Sequence, residues 1–290
     1  MRRLLVTGGS GYLGRRLASL AAAQGWAVTS TYLNNPPAAG QSLRLNLLDG
    51  AAVRAALDEL RPDAIAHTAC SNRDAANIAA IAPAARHLAQ AAQALGLRLV
   101  HVSTDMVFDG EHAPYADDAA PAPLTDYGQA KAEAEALVQA ACPSAAIGRP
   151  SLIWSLDPLD RQTGWLVDGM KRGERVTLFT DEIRCPVQVD DLAAALLALA
   201  ERPEIAGPLN LGGAQALNRW EFGLRLLAAL GEPRLPNVVP GTVAASGLRR
   251  PRDLTLYTER AQQHHLPPLR GVDVVLAQIP QRHRPRICEG

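Results

Sequence analysis

The chain has 290 residues, 48% of them hydrophobic, with 29 basic and 29 acidic side chains. This length and apolar content support one large α/β unit, or a nucleotide-binding unit with a smaller lobe, and exclude a disordered chain. The even charge balance gives no signal for nucleic acid or an anionic membrane surface as a main partner.

From the N-terminus, short apolar runs alternate with alanine-rich helical stretches. RLLVTGG (3–9) reads as a buried strand and LGRRLASLAAAQG (13–25) as a helix closed by Gly25. WAVTSTY (26–32) is a strand, and a short strand closes at NLLD (46–49). GAAVRAALDELRP (50–62) is a helix ended near Pro62, followed by the strand AIAHTA (64–69). PAARHLAQAAQALG (83–96) is a helix stopped by Gly96, and LRLVHVST (97–104) a strand. DYGQAKAEAEALVQAAC (126–142) is a helix and AAIGRPSLIW (145–154) a strand. The β-α-β-α order with short links predicts a doubly wound parallel sheet of Rossmann-like α/β type. Beyond Trp154 the pattern weakens: SLDPLDRQTG (155–164) is loop-like, DDLAAALLALAER (190–202) a helix, GPLNLGG (207–213) a short strand and NRWEFGLRLLAALG (218–231) a helix. The expected division is a dinucleotide-binding domain over 1–150, with strands near 176–213 returning to it, and a smaller interleaved C-terminal substrate lobe over 151–290.

No run reaches the ~20 apolar residues of a membrane span, and the apolar start is cut at Gly8, short of the ~7–15 residues of a signal peptide. Cys70, Cys142, Cys185 and Cys288 lack metal-ligand spacing and read as reduced thiols of a cytosolic protein.

VTGGSGYLGRR places Gly8, Gly9, Gly11 and Gly14 between the first strand and the first helix. A pyrophosphate seats on the free N–H groups of a helix N-terminus, and only glycine keeps side chains out of its way. This predicts dinucleotide binding. NAD sites carry an acid at the end of the second strand for the ribose hydroxyls. Here Thr31–Asn35 holds none, which points to NADP(H) in preference to NAD(H), with Arg15 or Arg16 for the phosphate. Both arginines read equally well as exposed residues of the first helix turns. Asn46 is a candidate for the adenine edge and Asp49 a helix cap.

DYGQAK places Tyr127 four residues before Lys131, on one helix face. A phenol near pKa ~10 is a poor proton donor at neutral pH, and an adjacent ammonium stabilises its anion. With five tyrosines and two lysines in the chain, a chance match at this spacing is rare. In HVSTDMVFDG, Thr104 ends a strand where a doubly wound sheet holds its ligands, and its hydroxyl can hold a substrate oxygen. Asp105 and Asp109 read as turn-shaping residues.

Together TGGSGYLG, STDMVFDG, YGQAK, GRPSLIW and RRPRDLTL resemble the extended short-chain dehydrogenase/reductases, over about residues 3 to 280. Within them the chain is most similar to the dTDP-4-dehydrorhamnose reductase branch, which also includes the regulatory β subunit of methionine adenosyltransferase. The resemblance implies Thr104, Tyr127 and Lys131 as a catalytic trio. It implies Gly8, Gly11, Tyr12, Leu13, Asn46, Leu47, Ala66, Thr68 and Ser103 as cofactor-lining residues, together with Tyr127 and Lys131 themselves. The chain departs from the branch at Met106, where a tyrosine is usual, at Leu152 and Trp154 in RPSLIW, at Asn46 and at Ile81. Met106 and Trp154 are therefore the expected shapers of the substrate pocket. The expected function is an NAD(P)H-dependent reductase of a 4-keto sugar nucleotide or related small-molecule carbonyl. A non-catalytic dinucleotide-binding regulatory subunit and an NAD-retaining epimerase or dehydratase stand as alternatives, and a homodimer is left open.

Overall fold

The computed structural model describes residues 1–37, 40–71 and 74–278; Cys288 lies outside them. The first half runs β1 (Arg3–Thr7), α1 (Tyr12–Ala23), β2 (Ala27–Tyr32), β3 (Gln41–Arg44), α2 (Gly50–Leu60), β4 (Ala64–His67), α3 (Ala75–Ala79), α4 (Ile81–Leu95) and β5 (Arg98–Val102). A 3-10 turn (Asp105–Val107) follows, then α5 (Asp126–Ala141) and β6 (Ala146–Pro150). The second half runs β7 (Ile153–Trp154), α6 (Arg161–Lys171), β8 (Val176–Phe179), β9 (Ile183–Arg184), β10 (Val187–Gln188), α7 (Val189–Glu201), β11 (Gly207–Leu211), β12 (Leu217–Asn218), α8 (Arg219–Ala229), β13 (Val238–Gly241), α9 (Val243–Ser246), α10 (Glu259–Gln263) and α11 (Val272–Gln278).

Seven strands form one sheet in the order β11-β6-β5-β4-β1-β2-β3, every pair parallel. Side chains alternate across it with the period of two that a strand imposes. Leu4, Val6, Ala64 and Val100 pack under Leu17 of α1 and Leu192 and Leu196 of α7. Leu5, Ile65, Leu99 and Ile147 pack under Val53 of α2, Leu88 of α4 and Val138 of α5. Both faces are buried, as a parallel sheet with crossover helices requires. Local chemistry sets the helix ends. The Asp49 side chain accepts from Ala52 N at 2.9 Å to cap α2, and the Thr125 hydroxyl accepts from Gly128 N at 3.1 Å to cap α5. The strand order reverses between β1 and β4, which opens a crevice at their C-terminal ends.

Two expectations change. The strand expected over 145–154 breaks after Pro150, and β7 pairs with β10 instead of extending the sheet. The cause lies in the polar Ser151, whose buried hydroxyl donates to Asp105 at 2.6 Å and accepts from Cys185 N at 3.1 Å. Of the strands expected to return from 176–213, only β11 joins the sheet, beside β6; β8 pairs with β13. The lobe has its own cores, one around Trp154, Phe222 and Val272 and one around Leu166, Leu178 and Val238. Asp105, fully buried, ties the two halves together. It accepts from Arg184 Nε at 2.8 Å and Nη2 at 2.5 Å. It does more than shape the turn, whereas Asp109 stays local, accepting from Glu111 N and from the Tyr115 hydroxyl.

Candidate active site

The glycine loop is built by close approach. Gly8 has φ +70°, a left-handed conformation that glycine adopts without strain. Gly11 N donates to Gly8 O at 2.8 Å, and a Cβ on Gly14 would lie 2.3 Å from that same oxygen. The turn thus closes onto the N-terminus of α1, where no side chain caps the first N–H groups. A cavity of about 540 Å³ opens beside it, lined by Gly8, Gly11, the β2 end from Thr31 to Asn35, Asn46, Leu47 and Thr68. Five of the expected lining residues are therefore there: Gly8, Gly11, Asn46, Leu47 and Thr68. Leu13 and Ala66 are not. Both are buried in the core, Leu13 on the inward face of α1 and Ala66 on β4 where the strand's alternation turns it under that helix. Tyr12 faces a different cavity, and Ser103 is buried with its hydroxyl lacking a hydrogen-bond partner among the described residues.

The arginines sort unequally. Arg16 is held by Asp190 of α7, through Nε at 2.7 Å and Nη2 at 2.6 Å. Arg15 is exposed and makes no ion pair among the described residues. Arg44, which the sequence reading passed over, pairs in register with Tyr32 at the end of β2, and its Nε donates to Leu33 O at 3.1 Å. Only the β2–β3 register reveals it, and nothing in the local sequence marks that register.

Tyr127 stands in the first turn of α5, where its phenol meets the Thr104 hydroxyl and the Cys70 thiol. Thr104 follows β5 and caps the 3-10 turn, accepting from Met106 N at 3.2 Å. Burial pushes the phenol up, Cys70 adds to this, and the Thr104 hydrogen bond opposes it. This corrects the expectation of a phenol lowered by its lysine. The Lys131 ammonium instead donates to Val102 O at 2.6 Å. Only 2% of Lys131 is exposed, and burial pushes its ammonium down, against the pull of Cys70 and Glu135. Cys70 is a second residue the sequence reading missed; a single cysteine in a loop carries no motif.

The larger cavity, about 830 Å³, lies on the lobe and is lined by Tyr12, Trp165, Phe179 and four arginines, Arg161, Arg175, Arg219 and Arg250. Arg250 pairs with Glu182 at 2.8 Å. Arg219 bonds Gln162, but its Nη1 is buried without a partner among the described residues, and burial pushes its guanidinium down to about 10. Burial likewise pushes the Tyr12 phenol up to about 12. Trp154 is absent from both cavities. It is 1% exposed and sits edge-on to Phe222 at 5.9 Å, so it is core, and its reading as a pocket wall is withdrawn. Met106 also lines neither cavity; it is half-buried, with its sulfur 3.6 Å from Arg184 Nη1.

Residues 1–282 match the family described as RmlD substrate binding domain. The chain belongs to this family. Its seven-stranded Rossmann-like fold is that of the extended short-chain dehydrogenase/reductases, as the motifs implied. Among RmlD-related proteins, it is similar to methionine adenosyltransferase 2 subunit beta of Danio rerio, 30% identical over 90% of this chain and 84% of that one. It is also 30% identical to dTDP-4-keto-6-deoxy-D-glucose reductase of Streptomyces niveus, over 95% of this chain and 96% of that one. In fold it is similar to dTDP-4-dehydrorhamnose reductase of Bacillus anthracis, solved in complex with NADP, with TM-score 0.82 and 21% identity over 96% of this chain and 98% of that one.

Proposed function

We propose that the protein is a nicotinamide-dinucleotide-dependent reductase of a carbonyl on a nucleotide sugar, with NADP(H) preferred over NAD(H). The observation that carries this reading is the meeting of Thr104 and the Tyr127 phenol at the C-terminal end of β5, beside Cys70, which lines the glycine-loop cavity. That cavity fits a dinucleotide. Its glycine loop leaves no room for a Cβ at Gly14, and the uncapped N-terminus of α1 suits a pyrophosphate. The β2 end carries no carboxylate to repel a 2′-phosphate, and Arg44 lies next to it.

A reduced nicotinamide dinucleotide held there supplies a hydride equivalent to a carbonyl carbon. The chain supplies the rest. The Thr104 hydroxyl donates to the carbonyl oxygen and fixes its direction. Tyr127 gives that oxygen its proton, as a general acid. Lys131, four residues further along α5, brings its ammonium to Val102 O at the end of β5. On the lobe, four arginines suit the two phosphates of a nucleotide sugar, and Trp165, 48% exposed, offers a flat face to a base. The relationship to the Streptomyces niveus reductase supports the substrate class.

The relatives named methionine adenosyltransferase 2 subunit beta support a second reading, a dinucleotide-binding subunit without turnover of its own. One experiment separates the two. NADPH and NADH absorbance is followed with a panel of 4-keto nucleotide sugars, alongside fluorescence titration of both cofactors. Turnover with tighter NADPH binding is the expected result. Cofactor binding with no turnover on any keto sugar selects the second reading, and tighter NADH binding at matched salt overturns the cofactor preference.

A further inference from the structure

Asp105 directly follows Thr104 and is fully buried. Its carboxylate is met from several sides. Arg184 of β9 donates Nε to Oδ2 at 2.8 Å and Nη2 to Oδ1 at 2.5 Å. Ser151, after β6, donates its hydroxyl to Oδ2 at 2.6 Å. Thr104 itself donates to Oδ1, but at 3.3 Å. An O–H···O bond ordinarily spans about 2.5–3.0 Å, so the Thr104 bond is long where the Ser151 bond is short. The Thr104 oxygen is fixed from another side, where it accepts from Met106 N at 3.2 Å. Its proton is the part left loosely committed.

The lobe holds Arg184 in place. β9 pairs antiparallel with β12, with Leu217 opposite Arg184. On the same short strand, Ile183 O accepts from Leu254 N at 3.0 Å. The guanidinium is 9% exposed, and among the described residues no other cation is paired with Asp105. Arg250, the next arginine of this network, is taken up by Glu182 at 2.8 Å. An ionised carboxylate accepts about twice as strongly as a neutral oxygen, and one left buried without its cation is costly. Such a carboxylate takes the nearest remaining donor, here the hydroxyl of Thr104. A threonine hydroxyl has a single proton. Once given to Asp105, it is lost to any substrate carbonyl.

We propose that Arg184 is a positioning residue for the reduction: by clamping both oxygens of Asp105, it keeps the single Thr104 proton free for the carbonyl oxygen of the substrate. The role rests on the reductase reading, in which Thr104 orients that oxygen. A planar fork suits it, since two donors of one guanidinium cover both carboxylate oxygens at once, whereas a lysine ammonium acts as a point charge. The clamp comes from the lobe, so the seating of the lobe reaches the hydroxyl at the end of β5.

The test joins crystallography and kinetics on two variants, Arg184→Gln and Arg184→Lys, the second keeping the charge without the fork. In crystals of both, Thr104 Oγ1 closes on Asp105 Oδ1 from 3.3 Å to about 2.7 Å. NADPH absorbance follows reduction of 4-keto nucleotide sugars. kcat falls on the order of a hundredfold in Arg184→Gln and about tenfold in Arg184→Lys. KM for the sugar and Kd for the dinucleotide stay within about twofold, because the lost interaction is one made in the transition state. Adding Asp105→Asn to Arg184→Gln removes the charge that captures the hydroxyl, and kcat recovers by about tenfold over Arg184→Gln alone. A purely structural tie gives the reverse, a further loss. The proposal is overturned by a folded Arg184→Gln protein as fast as wild type, by a raised KM with kcat unchanged, by a double variant slower than Arg184→Gln, or by Thr104 Oγ1 staying at its wild-type distance. If Arg184→Gln does not fold, Arg184→Lys decides through the same distance and rate. Failure of the reductase reading looks different: wild type turns over no keto sugar, and Thr104 still closes on Asp105 in the variants. If the clamp fails instead, turnover is present and Thr104 does not move.

Discussion

Tyr127 illustrates how one side chain answers to two environments. Its helix position puts it on the lysine face, while burial and Cys70 raise the proton affinity of its phenol. Tyr127→Phe keeps the ring and removes the proton, so kcat for keto-sugar reduction is expected to fall by roughly 10²–10⁴. Cofactor affinity stays near wild type, since the glycine loop is untouched; Lys131→Ala weakens both. Stopped-flow absorbance for turnover and fluorescence for binding check this pair, and a Tyr127→Phe protein as fast as wild type removes tyrosine from the mechanism. Trp154 teaches the opposite lesson. A large aromatic just past a strand end reads equally well as pocket or core, and its contact with Phe222, 68 positions away in the numbering, decides for core. Trp154→Ala is expected to cost about 3–5 kcal/mol in chemical denaturation without altering substrate preference. The places of Thr104 after β5 and of Tyr127 and Lys131 on α5 were legible because local spacing sets them. Arg16, Arg44 and Cys70 were not, because their roles depend on Asp190, on the β2–β3 register and on the approach of α5.

Among the elements, the β1 turn into α1 is the most exacting. A Cβ on Gly14 would stand 2.3 Å from Gly8 O and 2.9 Å from Thr68 Oγ1, and the first of these is backbone that cannot rotate away. Gly14→Ala should cost about 1–3 kcal/mol through overpacking and abolish dinucleotide binding by reopening the turn. A thermal melt and a cofactor titration test it together, and retained binding with an unchanged melting temperature speaks against the close-packed turn. The long elements, such as α4 with its Gly96 stop and α5 over the DYGQAK run, were visible from periodicity and punctuation. β7, β9, β10 and β12 are two-residue pairings, too short to show any period, and their partners alone define them.

The whole molecule inherits a pH dependence from its interior. His67 is pushed down to about 3 and His101 in the same direction, whereas an unfolded imidazole titrates near ~6.5. As pH falls through that unfolded value, the unfolded chain binds protons that the folded one refuses, so stability rises with pH in this window. The contribution is full above about pH 6.5 and is lost as pH falls below it, at about 1.4 kcal/mol per pH unit for each histidine. Urea denaturation at pH 7.5 and 5.5 should differ by about 3 kcal/mol from these two groups. A stability curve flat across that interval would contradict their burial as neutral rings. Acidic groups held down by partners, such as Asp109 and Asp190, titrate lower and extend the loss towards stronger acid.

The return of β11 to the edge of the sheet beside β6 has a consequence for how such a chain can be rearranged. Residues 189–211, as α7 and β11, belong to the nucleotide-binding layer, yet lobe segments precede and follow them. A gene cut once near residue 150 and joined to a foreign C-terminal half would discard the last strand and the helix that covers half of one sheet face. Exchanging the lobe intact takes two grafts, one before Val189 and one after Leu211, chosen to match each other. A single junction therefore cannot exchange the later segments without also taking α7 and β11 away from the sheet.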